Sequence, residues 1–178
     1  MLYPQIAECM VLNRYRLYNQ RVPVPGKDKS MTEDLKILLK SLFSSQLLAV
    51  LGTQSPNGPY GNLVAFAATD DLKHLLFATS RPTRKYENLL KTPEVALVID
   101  NRSNQENDFR NAVAVTATGS VREATGPEKD HFQTLYLEKH PSLRGFVEAP
   151  SCALLNVEVD TYFIVRQFQQ VVELRMQR

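Results

Sequence analysis

The stretch HLLFATSRPTRKYENLLKTPEVALVI, residues 74–99, reads as strand, polar turn, short helix and strand. Residues 74–78 form an apolar run of buried-strand length, ended by Thr79 and Ser80. Ser80 or Thr83 can cap a helix, and Pro82 suits its first turn. Tyr86, Leu89 and Leu90 give that helix an apolar face, and Thr92-Pro93 stops it. Val95, Leu97 and Ile99 then alternate with smaller residues as a second strand. The helix start therefore gathers the hydroxyls of Thr79, Ser80 and Thr83, free backbone N–H groups, and the charges of Arg81, Arg84 and Lys85. That combination suits a dianion, a phosphate before others, because charge-assisted donors and a helix N-terminus converge there. The same residues also describe a basic, solvated helix start without a ligand.

The flanking sequence supplies more strands. Residues 47–53 (LLAVLGT) and 62–69 (NLVAFAAT) enclose the turn-rich segment QSPNGPY, which predicts a hairpin. Asp70-Asp71-Leu72-Lys73 is a second tight turn leading into residue 74. Upstream, Thr32 is the expected cap of a helix, with Glu33 and Asp34 at its positive end and Leu35, Leu38, Leu39 and Leu42 on one face. Residues 1–30 hold Tyr3, Ile6, Met10, Leu12, Tyr15 and Tyr18 without clean periodicity, followed by RVPVPG, an extended linker. The expected division is an N-terminal arm or linker over 1–30 and one domain over 31–178.

Downstream, residues 100–111 form a polar loop. Residues 112–121 alternate, with Val113, Val115, Ala117 and Val121 on one face, and Gly119 marks a bulge or a close backbone approach. Gly126-Pro127 opens a helix carrying Phe132, Leu135, Tyr136 and Lys139, ended by His140-Pro141. Residues 152–165 and 170–174 are the closing strands. Six or seven antiparallel strands and a few flanking helices make a mainly β (α+β) barrel.

The chemistry is narrowed mostly by elimination. The 178 residues carry a net charge of +2 with signs interspersed and no basic stripe, so a nucleic-acid partner is not expected. Cys9 and Cys152 form no CxxC, which disfavours a disulfide framework or a zinc site, and no metal is expected. No signal peptide or spanning apolar run is read, so the expectation is a soluble, cytoplasmic protein without a membrane partner. His74, His131 and His140 lack ligand or catalytic spacing, and Asp70-Asp71 reads as a turn. GxSxG, Walker and Rossmann patterns are absent. Any chemistry would be carried by a bound cofactor.

The segment FATSRPTRKYENLLKTPEVALVI, preceded by NLVAFAATDDLKHLL, resembles the flavin-binding core of the pyridoxamine 5′-phosphate oxidase-like superfamily, the FMN-binding split barrels. The resemblance spans roughly residues 35–165 in strand order and is specific over 62–99. It implies a split barrel that binds FMN at a homodimer interface, with Thr83, Arg84 and Lys85 as the phosphate run and Thr79, Ser80 and Arg81 as lesser donors. Asn62, Leu63, Val64 and Ala78 would line the ring. It also implies an FMN-dependent oxidoreductase acting on a small molecule. A flavin carrier without substrate chemistry, and a relative using deazaflavin F420 or haem, are the alternatives. The chain departs from the oxidase proper at Asn62–Ala67, which lacks that family's two strand cations. Ala114 stands at the glutamine position of its later strand, and there is no tryptophan for its C-terminal substrate segment. A pyridoxal-type substrate is therefore disfavoured. Arg102, Phe109 and Arg110 of the polar loop are the residues expected to reach the ring or a partner's site.

Overall fold

The computed structural model describes residues 29–166 and 170–177. The expected arm thus lies outside the described residues, apart from its last two positions. These are already helical, because α1 runs Lys29–Ser45 and Thr32 sits inside it instead of capping it. Its predicted face holds, with Leu35, Leu39 and Leu42 buried and Phe43 added to them.

Seven strands follow: β1 (Leu48–Ser55), β2 (Gly58–Ala68), β3 (His74–Ser80), β4 (Glu94–Asp100), β5 (Val113–Glu123), β6 (Cys152–Arg166) and β7 (Gln170–Arg175). The helices between them are α2 (Arg84–Lys91), the one-turn α3 (Asp108–Asn111), α4 (Gly126–Lys139) and the one-turn α5 (Arg144–Val147). The β1–β2 turn needs a left-handed residue, which Gly58 supplies at φ 110°. At the β2–β3 turn, Asp71 accepts from the Thr69 hydroxyl at 2.6 Å and the Lys73 N–H at 3.0 Å, the turn role expected of it.

Sheet order is β3-β2-β1-β4-β5-β6-β7, and β3 also pairs with β6. That extra pairing closes β1–β6 into a six-stranded antiparallel barrel, with β7 added to β6. The bulge expected at Gly119 is present as a register shift between Thr118 and Gly119 against β6.

Period-two alternation feeds two cores. Inside the barrel, Leu51, Val64, Phe66, Phe77, Leu97, Ile99, Val115 and Tyr162 pack together with the buried face of α1. Outside it, Ala67, Leu76 and Leu154 meet Phe132, Tyr136 and Leu137 of α4. α4 thereby braces β2 and β3, the strands that border the site, while Phe43 of α1 packs against Phe66 of β2 and Tyr162 of β6.

Lys139 fastens the end of α4 to the end of α1. Its Nζ donates to the Phe43 carbonyl at 2.7 Å and lies 3.9 Å from the Phe66 ring centroid. Burial lowers its pKa from 10.5 to about 8. The folded protein therefore sheds this proton before the unfolded chain does, so stability rises with pH between those two values. Unfolding curves of the parent and of Lys139→Met should diverge across that window, the parent gaining relative to the variant, and run parallel below it. Parallel curves throughout would contradict this role for burial.

Candidate functional site

β2 and β3 pair only from Phe66↔Phe77 to Ala68↔Leu75. Beyond Phe66 and Phe77 the two strands part, although β2 continues to be held by β1 and β3 by β6. The parting exposes one edge of each strand over the segments read from the sequence as ring-lining, Asn62, Leu63 and Val64 on β2 and Ala78 on β3. Leu63 is 66% exposed, whereas Val64 is buried in the barrel. The Asn62 Oδ1 is buried and accepts no hydrogen bond from the described residues. A buried unpaired acceptor is costly, so this atom is suited to a donor brought from outside the chain.

β3 then runs directly into α2. Thr83 is the N-cap: its hydroxyl accepts from the Tyr86 N–H at 3.4 Å and donates to the Ser80 carbonyl at 2.7 Å. Thr79, almost fully buried, lies with its hydroxyl 3.3 Å from that of Thr83. These hydroxyls build the helix start itself. Pro82 stands before the cap and not within the first turn as expected, because Thr83 and not Ser80 takes the capping position. Leu89 is buried as expected, but Leu90 is 71% exposed, since an eight-residue helix on a barrel buries only a narrow stripe.

The three cations separate into two kinds. Arg81 is spent internally: it donates to the Pro150 and Cys152 carbonyls at 2.9 Å each and pairs with Glu123. Glu123 also accepts from the Tyr86 hydroxyl at 2.8 Å, and that bond raises the Tyr86 pKa. Arg84 and Lys85, the first two residues of α2, have no carboxylate partner among the described residues. The Arg84 guanidinium lies 5.2 Å from the Tyr60 ring centroid, a stacking contact that leaves its donors available. The structure thus brings Thr79, Ser80, Thr83, Arg84 and Lys85 together and assigns Arg81 to the scaffold.

Several residues that fix this geometry went unassigned in the sequence. Asn88 donates to the Thr53 hydroxyl at 3.0 Å, and Thr53 donates to the Tyr60 carbonyl at 3.2 Å, tying α2 to the β1–β2 hairpin. Glu123 lies 42 residues from Arg81, so no local pattern announces their pairing. Asn88 is legible in the sequence only as a residue that fits the family's pattern after Thr83-Arg84-Lys85, and Tyr60 only as the end of a turn-rich segment.

The loop over 100–111 is more ordered than its polarity suggests. Asp108 accepts from the Ser103 N–H at 2.9 Å, the Ser103 hydroxyl at 3.1 Å and the Gln105 N–H at 3.0 Å. The Gln105 and Ser103 N–H groups hold its carboxyl below the usual range. The Asn101 Oδ1 accepts from the Val113 N–H at 2.7 Å, and Arg102 pairs with Asp100 at 3.2 Å. Phe109 stands exposed on the one-turn α3. The histidines keep structural positions: His74 Nδ1 lies 3.0 Å from the Asn156 Oδ1, His140 Nε2 lies 2.8 Å from the Phe66 carbonyl, and His131 is exposed. Among the described residues, no group of acidic, histidine and cysteine side chains could hold a metal ion. No described helix is long and apolar enough to cross a membrane.

Comparison with known proteins bears on the family and the fold. The sequence model of the pyridoxamine 5′-phosphate oxidase family matches residues 35–166. No curated protein matches the chain. Among solved structures, a heme binding protein from Mycobacterium smegmatis superposes with a TM-score of 0.69 at 14% identity, over 76% of this chain and 55% of that one. This chain thus corresponds to little more than half of that protein. General stress protein 26 from Bacillus anthracis gives a TM-score of 0.60 at 20% identity, over 80% of this chain and 98% of that one. A Clostridium acetobutylicum protein related to general stress protein 26, of the pyridoxinephosphate oxidase family, gives 0.64 at 18% identity, over 81% and 96%. At these identities the structures speak for a common fold.

Proposed function

This chain belongs to the pyridoxamine 5′-phosphate oxidase family, and from that premise we propose that it binds FMN non-covalently in the opening between β2 and β3 and works as an FMN-dependent oxidoreductase on a small molecule. The observation that carries this reading is the start of α2, where Arg84 and Lys85 stand without carboxylate partners beside a strand edge that has lost its neighbour. Removing a phosphate dianion from water is expensive, and a guanidinium fork, an ammonium and a capped helix N-terminus together offset that cost. The flavin ring needs backbone polar groups at its edge and apolar walls, which Leu63, Val64 and Ala78 can supply. The unpartnered Asn62 Oδ1 fits a group that brings its own N–H donor, as a flavin does.

Bound FMN supplies hydride or single-electron transfer. The chain's own residues hold the phosphate, orient the ring and exclude water; no acid, base or nucleophile is assigned to them. Absence of the two strand cations at Asn62–Ala67 argues against a phosphorylated pyridoxal-type substrate. A carrier role without substrate chemistry would show the same FMN binding but no reduction by NADH or NADPH. His140 is buried with its Nε2 2.8 Å from the Phe66 carbonyl, so that nitrogen is not offered to a haem iron.

A second copy of the chain is the proposed partner. Leu63, Val50, Val98, Thr116 and Phe163 stand side by side in register across β2, β1, β4, β5 and β6. They form a part-exposed, largely apolar row on the outside of the barrel, continuous with the proposed ring-binding edge at Leu63. Sedimentation should give the mass of two chains; a monomer at micromolar concentration would contradict this.

The phosphate carries the proposal, so riboflavin is its natural control. FMN should quench on titration with one equivalent per chain, and riboflavin should bind at least about tenfold more weakly, the value of one charge-assisted contact. Equal binding of the two would remove the clamp from the account.

A further inference from the structure

At the other end of the paired β2–β3 segment from the flavin opening, the ends of α1 and α4 and the β2–β3 turn enclose a cleft of about 490 Å³. Phe43, Ala67, Ala68, Leu72 and Leu135 give it an apolar floor, and Lys139 of α4 enters it half-buried. An ammonium carries three N–H donors. One bonds the Phe43 carbonyl at 2.7 Å, and the group lies 3.9 Å from the Phe66 ring centroid. These two contacts leave a donor over, and they leave the charge without an anion. No carboxylate pairs with Lys139 among the described residues.

The other charged side chains of the cleft are Lys40 of α1, Asp70 of the turn and Glu138 of α4. All three are exposed, so water and salt screen them. The Ser44 hydroxyl also lines the cleft, but it is engaged at the Ser41 carbonyl at 2.9 Å. Lys139 is therefore the polar group with most to gain from a ligand. A half-buried cation above an apolar floor is costly without a counter-charge, and burial accordingly lowers its pKa.

We propose that this cleft binds a small organic carboxylate with an apolar, ring-sized body, the carboxylate accepting from Lys139 and the body covering the floor between α1 and α4. A neutral apolar molecule would leave the ammonium without its anion. Inorganic phosphate would leave the floor wet and would meet Asp70 and Glu138 at the rim. A monocarboxylate answers both needs at once, since it joins a charge-assisted hydrogen bond to the burial of apolar surface. The cleft shares no residue with the proposed phosphate clamp or ring edge, so this site stands whether or not FMN binds.

The test titrates naphthalene-1-acetate and its uncharged amide into the protein, with and without FMN, followed by the backbone amide signals in NMR. The acid should shift Ser44, Ala68 and Leu135 and bind at least about tenfold more tightly than the amide, the value of one charge-assisted contact. Lys139→Met should bring the two ligands to equal affinity, whereas Lys139→Arg, which keeps the charge, should keep the preference. Above pH 8 or so the preference should fall in the parent, as Lys139 loses its proton, and persist in the Arg variant. Equal binding of acid and amide by the parent would overturn the proposal, as would a preference that survives Lys139→Met or no binding of the acid at millimolar concentration. Displacement of the acid by FMN would put it in the flavin opening and overturn the site equally. If Lys139→Met does not fold, the parent decides: a preference unchanged between pH 7 and about 9 would overturn the role of Lys139.

Discussion

Replacing Arg84 and Lys85 together by alanine should lower FMN affinity roughly a hundredfold or more while the barrel stays folded. Hydrogen bonds to charged groups are worth about 1.5–3 kcal/mol each, and every 1.4 kcal/mol is tenfold in affinity. Neither side chain has an ion pair to lose among the described residues, and Arg84 is exposed, so the cost to folding should be small. The single variants should differ in character. Arg84→Lys gives up the planar fork and its place against Tyr60, so it should keep only part of the affinity. Arg81 behaves otherwise. Its bonds to Pro150, Cys152 and Glu123 mean that Arg81→Ala should show first as lost stability, with affinity affected only through the displaced scaffold. Fluorescence titration with urea denaturation of the same samples separates the two effects. A double variant that binds FMN as tightly as the parent would disprove the clamp.

The largest expected effect on folding lies at Gly119. A Cβ built there would stand 2.1 Å from the Glu158 carbonyl oxygen and 2.9 Å from its carbon, both backbone atoms of the paired strand. No rotamer relieves such a contact; β5 or β6 must move at the bulge that bends them into the barrel. Gly119→Ala should therefore cost about 3 kcal/mol, at the upper end for overpacking. Gly145→Ala is the control, because nothing lies within 4 Å of its added carbon. A fall in the urea midpoint confined to the Gly119 variant is the expected result. Similar midpoints in both variants would mean that the bulge is soft.

Much of this molecule was legible in its residues. The strands around residues 47–53, 62–69, 74–78, 95–99 and 112–121 formed within a few positions of their readings, because alternation and turn chemistry act locally. Gly119 was readable for the same reason: a glycine inside a strand marks a bulge or a close approach. Thr32 misled because a helix beginning upstream absorbed it, and capping residues also occur inside helices. Pro82 misled by two positions, since Ser80 and Thr83 were both plausible caps and only the hydrogen bond to Tyr86 N decides between them. The internal partners of Arg81 could not be read at all, because Glu123 and the carbonyls at Pro150 and Cys152 arrive from distant strands and turns. Tyr136 read as one apolar residue on a helix face. Its hydroxyl donates to the Ala65 carbonyl, 71 residues away, a contact that no local pattern announces.

Whether this barrel holds FMN is read directly in the visible spectrum. Purified protein is mixed with FMN, passed through a desalting column and scanned. Flavin bands should stay with the protein at about one FMN per chain and be lost in the Arg84→Ala, Lys85→Ala double variant. A colourless parent would contradict FMN binding, as would a Soret band in freshly purified protein that added FMN leaves unchanged.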